Sequence, residues 1–182
     1  MSWRRAFPWL LLAVFAVLYA TGGHEGGRTR GEVRDLGGAE RPGAQLPGRV
    51  VKITDGDTIH VRVGGREVKV RLIGIDTPEV HKPGTPVQCF GRRATARNAQ
   101  LISGRDVVLR LDAETRDRYG RLLAYVYRRP DGLFVNAVLV REGYARTLTI
   151  PPNVRHADAF ARLAQAARRA GRGLWSACPR NL

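Results

Sequence analysis

The chain has 182 residues, room for one ordinary domain and a tail, and its 43% apolar and 26% charged residues exclude a disordered polymer. Lys and Arg number 31 against 16 Asp and Glu, a net charge of +15 at neutral pH. So basic a surface calls for a polyanionic partner, a membrane, or both. Lysine is nearly absent (Lys52, Lys69 and Lys82), as an Arg-favouring codon bias would make it, but such a bias does not explain the excess of base over acid.

At the N-terminus, Arg4 and Arg5 precede an apolar run from Ala6 to Ala20 broken only by Pro8. This is the pattern of an export signal, and it is short for a membrane-spanning helix of about 20 residues. Cleavage after Ala20 would leave Leu18 at the −3 position, a poor small residue, so an uncleaved membrane anchor is the alternative over 1–20. Residues 21–47, rich in Gly and charge, are expected to form a flexible linker. A folded domain is expected over 48–178, with 179–182 as a tail.

Val50, Val51 and Ile53 lead into Asp55-Gly56-Asp57, after which Ile59, Val61 and Val63 alternate with polar residues. Gly64-Gly65 marks a two-residue hairpin. Val68, Val70, Leu72, Ile73 and Ile75 make a third strand running to Asp76-Thr77-Pro78. Gly91 to Ile102 has helix composition, with Gly104 as its stop. Val107–Leu111 and Leu122–Tyr127 are two further strands, the second ending in the turn Arg129-Pro130-Asp131-Gly132. Val135 to Glu142 reads as a short helix before Gly143. His156 to Ala170 reads as an amphipathic helix, with Phe160, Leu163, Ala164 and Ala167 on one face and Gly171 behind it. Five short strands with helices inserted and trailing fit a β-barrel with helices (α+β): a five-stranded OB-fold barrel with three α-helices.

Cys89 and Cys178 allow a single internal pairing. In an exported chain they are expected to be oxidised, closing a loop of roughly 90 residues worth about 4 kcal/mol by chain entropy. In a reducing compartment, two buried thiols are the alternative.

Two acidic pairs stand at strand ends: Asp55 and Asp57, then Asp76 and Glu79. Any one of these is readily a plain turn former. Together, beside Arg71 in a basic chain, they make a mixed-sign pocket. Hard carboxylate oxygens suit Ca²⁺, Mg²⁺ or Mn²⁺, and no His or Cys spacing proposes zinc. His60, His81 and His156 are scattered and read as surface residues. A phosphodiester hydrolase needs a metal to polarise phosphate, a base to activate water and cations for the charge growing on phosphate oxygens. Guanidinium, with its two-pronged fork, serves that last need best, and Arg71 and Arg121 are the candidates.

Three segments carry a family resemblance. Asp-Gly-Asp-Thr at 55–58 with Arg-Leu-Ile-Gly-Ile-Asp-Thr-Pro-Glu at 71–79, Asp117 to Tyr125, and Val135 to Gly143 stand in the order found in the staphylococcal nuclease (thermonuclease) family, which the chain resembles from about Arg49 to Trp175. The resemblance implies an OB barrel with three helices and a Ca²⁺-dependent nuclease that cuts DNA and RNA to 3′-phosphate ends. By position, Asp57 and Asp76 would be Ca²⁺ ligands, with Thr77 adding its backbone carbonyl. Glu79 would be the general base, and Arg71 and Arg121 would bind the scissile phosphate. Asp55 would act from behind the ligands, while Arg118 and Tyr119 would line the nucleotide site. Cys89 and Cys178 are those of an exported, disulfide-bearing branch, so the protein is expected to be secreted, or associated with the outer face of the cytoplasmic membrane, as a monomer. The chain departs from the family at 148 and 150, where Leu148 and Ile150 replace two tyrosines. A copy kept only to bind nucleic acid would be free to lose Asp57, Arg71, Asp76, Glu79 or Arg121, and a membrane- or polymer-binding surface gives no reason for them; all five are present.

Overall fold

The alternation that marks strands in the sequence becomes one buried face in the computed structural model, which describes residues 36–178 apart from 82, 83 and 85. Residues 1–35 and 179–182, and with them the expected export signal, most of the expected linker and the tail, lie outside the described residues. In chain order the elements are β1 (Gln45–Asp55), β2 (Thr58–Val63), β3 (Arg66–Leu72), β4 (Gly74–Asp76) and α1 (Gly91–Ile102). There follow β5 (Asp106–Arg110), β6 (Leu122–Arg128), α2 (Val135–Arg141), β7 (Arg146–Leu148), α3 (Ala157–Arg169) and α4 (Leu174–Ala177). Ile59, Val61 and Val63 of β2 and Val68, Val70 and Leu72 of β3 are buried, while Arg62, Glu67 and Lys69 between them face solvent.

Five strands close into a barrel in the order β1-β2-β3-β6-β5. Antiparallel ladders join β1 to β2 (Ile53 opposite Ile59), β2 to β3 (Val61 opposite Val68), β1 to β5 and β5 to β6. A parallel ladder between β3 and β6, with Val70 opposite Leu122, completes the ring and leaves it without a free edge. Ile59, Leu72, Leu109, Leu122 and Tyr125 fill the core, and α1 packs on β1 while α2 packs on β6 and α3. This is the five-stranded OB-type α+β barrel expected from the sequence.

The structure corrects the sequence reading in three places. The linker ends earlier than expected: β1 begins at Gln45 with Leu46 buried, Leu36 and Ala44 pack against the core, and Glu40 pairs with Arg116. The third strand is not continuous, because the chain kinks at Gly74 (φ +78), where a Cβ would stand 2.5 Å from the Phe160 ring of α3. Beyond the kink, β4 leaves the barrel and pairs with β7 as a separate two-stranded sheet. Finally, a fourth helix, the single-turn α4, follows the three expected.

Candidate active site

The break between β3 and β4 builds the first half of the site. Arg71, the penultimate residue of β3, points into the bend, where its Nη1 donates to the carbonyls of Leu72 (2.7 Å) and Ile75 (2.8 Å). Its Nη2 lies 3.1 Å from Asp76 Oδ1 and 3.4 Å from Asp57 Oδ2. Both carboxylates therefore meet at one guanidinium nitrogen. Asp57 is buried in the β1–β2 turn: its Oδ2 accepts from the backbone N–H and the hydroxyl of Thr77, each at 2.8 Å, and its Oδ1 accepts from the Thr58 hydroxyl at 3.0 Å. Asp76 is exposed at the end of β4. Partial burial and the nearby Asp57 carboxylate raise its pKa above the ordinary value, against the pull of Arg71 and Arg146. Glu79 has its pKa raised too, by what burial it has and by Asp55, Asp57 and Asp76. Burial and neighbouring carboxylates thus both disfavour the charged forms of Asp76 and Glu79.

The second half is a cleft of about 510 Å³ on the other side of Arg71. Arg71 and Arg121 both line it, with Arg118, Tyr119 and Asp117 from the loop before β6. Asp117 organises that loop. Its Oδ1 accepts from the N–H groups of Tyr119 (2.9 Å) and Arg121 (3.0 Å), and its Oδ2 accepts from Arg121 Nε at 2.6 Å. Tyr119 is exposed, with the guanidinium groups of Arg118 and Arg121 4.8 and 5.3 Å from its ring centroid. Leu148 and Ile150, the two departures from the family pattern, line the same cleft.

The structure thus brings Asp57, Arg71, Asp76 and Thr77 into direct contact, couples Glu79 to them through charge, and gathers Arg71, Arg118, Tyr119 and Arg121 in one cleft. Asp57, Asp76 and Glu79 do not line that cleft; Arg71 is common to both halves. Among the described residues, no three His, Cys, Asp or Glu side chains are close enough together to hold a metal ion by themselves.

The histidines are corrected in part. His81 is exposed but turned to the site, its Nδ1 2.9 Å from Asp55 Oδ1. His60 pairs with Glu67. His156 is half-buried at the start of α3, its ring edge-on to Tyr125 at 4.5 Å, and burial lowers its pKa. Asp117 was not expected, although its spacing to Arg121 is a readable signal. Cys89 and Cys178 form the expected disulfide, with Cα atoms 5.8 Å apart.

Guanidinium groups gathered in a cleft beside a carboxylate cluster are the make-up of a site for phosphate esters. The model of a family described as staphylococcal nuclease homologue matches residues 69–177. The chain is 36% identical over 128 residues to the thermonuclease of Staphylococcus hyicus, covering 70% of this chain and 75% of that protein. It is 44% identical over 107 residues to the thermonuclease of Staphylococcus intermedius, covering 59% and 62%. To endonuclease YncB of Bacillus subtilis it is 41% identical over 124 residues, covering 67% and 58%. The chain belongs to the staphylococcal nuclease family and is a nuclease, an enzyme of phosphodiester hydrolysis.

Proposed function

We propose that the protein is a Ca²⁺-dependent endonuclease that hydrolyses DNA and RNA and leaves 3′-phosphate ends. The observation that carries this reading is Arg71, one guanidinium that lines the cleft with Arg121 and also touches Asp57 and Asp76. Asp57, Asp76 and the backbone carbonyl of Thr77 would hold the ion, with water completing the roughly six to eight oxygens that Ca²⁺ takes. The donors are all hard oxygens, and burial together with neighbouring carboxylates raises the pKa values of Asp76 and Glu79, a cost to their charged forms that a divalent cation would offset. Bound there, Ca²⁺ supplies Lewis-acid polarisation of the phosphate.

The chain's own residues account for the rest. Arg71 and Arg121 bind the non-bridging oxygens of the scissile phosphate and offset the charge that grows there, Arg121 being held in place by Asp117. Glu79, as carboxylate, takes a proton from the attacking water while the water oxygen bonds to phosphorus. The bond from phosphorus to the 5′ oxygen breaks, that oxygen takes up a proton, and the phosphate stays on the 3′ end. Arg118 and Tyr119 hold the adjoining nucleotide.

Export is part of the same proposal, either by secretion or by anchoring through residues 1–20, with the chain acting as a monomer. The Cys89–Cys178 bridge supports it, because disulfides persist in oxidising compartments. Labelled single-stranded DNA and RNA incubated with the full chain, with Ca²⁺ and then with excess EGTA, test the chemistry. Cleavage that requires Ca²⁺ and leaves 3′-phosphate ends is expected; cleavage that survives EGTA, or 5′-phosphate products, would refute it.

A further inference from the structure

Glu79 lies beyond the end of β4 on a segment without regular structure, and its side chain is exposed. With no strand or helix around it, the aim of Glu79 depends on what holds its backbone. Gln88 does so from both sides. Its side-chain Oε1 accepts from the Glu79 N–H at 2.9 Å, and its own backbone N–H donates to the Glu79 carbonyl at 2.9 Å. Glu79 and Gln88 are thereby pinned to each other at a neck.

The neck is fixed in turn by the residues that follow. Cys89 is bonded to Cys178. Phe90 adopts φ 72, the left-handed region that aromatic residues rarely enter, with its ring 5.3 Å from that of Tyr144 and the Arg93 guanidinium 5.4 Å from its centroid. Gly91 opens α1 so close to the same segment that a Cβ would stand 2.9 Å from the Pro78 carbonyl oxygen and 3.0 Å from that of Glu79. A strained residue of this kind persists only where its surroundings over-determine it. Here they do so two residues from Gln88, which brackets Glu79.

We propose that Gln88 is a positioning residue for phosphodiester hydrolysis: it aims the Glu79 carboxylate at the attacking water, and the Cys89–Cys178 bridge anchors it. The proposal rests on the reading of Glu79 as the base. Gln88→Met keeps the length and bulk of the side chain and removes its acceptor. It is expected to lower kcat about 10- to 100-fold, the scale of a small misplacement of a reacting group, with KM within about twofold. A defect in general folding would instead lower the folded fraction, so kcat is taken per folded molecule, from circular dichroism at the assay temperature. In a Glu79→Gln background, Gln88→Met is expected to have no further effect on kcat, because the group it positions has gone. An unchanged kcat in Gln88→Met beside a crippled Glu79→Gln overturns the proposal alone, as does a full multiplicative loss in the double variant. Near-wild-type turnover in Glu79→Gln overturns the base assignment and the proposal together.

Discussion

Asn136 joins the fold to the site through two hydrogen bonds, and their removal has a size that can be worked out. The residue is fully buried on α2. Its Oδ1 accepts from the Val126 N–H of β6 at 2.9 Å, and its Nδ2 donates to the Ile73 carbonyl at 2.9 Å, in the bend between Arg71 and Asp76. Asn136→Leu fills a similar volume and takes both partners away. Each buried backbone group left unsatisfied costs about 1–3 kcal/mol, so the loss is about 2–6 kcal/mol against a total stability of about 5–15 kcal/mol. Taking about 4 kcal/mol, and about 2–4 °C per kcal/mol for a domain of this size, Tm is expected to fall by about 8–16 °C. Urea unfolding followed by circular dichroism should show a lower midpoint at unchanged slope, and the temperature of activity loss should fall with it. A loss below about 1 kcal/mol would show that those backbone groups do not depend on Asn136 and would refute the reasoning.

Reducing the Cys89–Cys178 bridge, which spans 89 residues, frees a loop worth about 4 kcal/mol, and Tm is expected to fall on addition of reductant; an unchanged Tm, or two free thiols by mass spectrometry, contradicts this. Leu148→Tyr and Ile150→Tyr place stacking surfaces in the cleft, each worth about 1–3 kcal/mol per base, so single-stranded DNA should bind the Glu79→Gln enzyme about tenfold tighter or more. No gain in affinity means that bases do not reach those positions. Asp76 and Glu79 have raised folded-state pKa values, so they favour the fold at acid pH, and that contribution is lost as pH rises from the ordinary carboxylate value through the raised one. Added Ca²⁺ should therefore raise Tm clearly near pH 7 and little near pH 4, and equal shifts at both would speak against a Ca²⁺ site on Asp76 beside Glu79.

The parts of the fold that were legible are those with a period. β2, β3 and the Gly64-Gly65 turn between them show strict alternation, and α3 shows Phe160 and Ala167 recurring on one face, because burial of one side is what made those elements. β7 has three residues and no period of its own; it is a strand because β4 offers it partners, with Asp76 opposite Arg146. The early start of β1 was hidden by Pro47 and Gly48, which look like loop but pair with Val108 and Val107 of β5. In the site, the charged residues could be read from their clustering and from the family motif. Asn136 and Gln88 could not, because their work is done on backbone groups of residues that no spacing rule connects to them. A lone amide inside the apolar run Val135 to Val140 was the one trace that Asn136 left in the sequence.

The same limit explains why Arg71 could be named while its two-sided role could not. Had β3 run on straight, the carbonyl of Ile75 would point along the ladder and away from residue 71. The left-handed turn at Gly74 folds it back to within 2.8 Å of Arg71 Nη1, and only glycine fits there beneath the Phe160 ring. Two backbone carbonyls then hold one arm of the guanidinium, which leaves the other arm on Asp57 and Asp76. A helix more than eighty residues downstream of Arg71 thus sets the bend that makes one arginine the boundary between the acidic cluster and the cationic cleft. Any substitution that widens the turn at Gly74, which itself lines the cleft, should disturb both sides of the site at once.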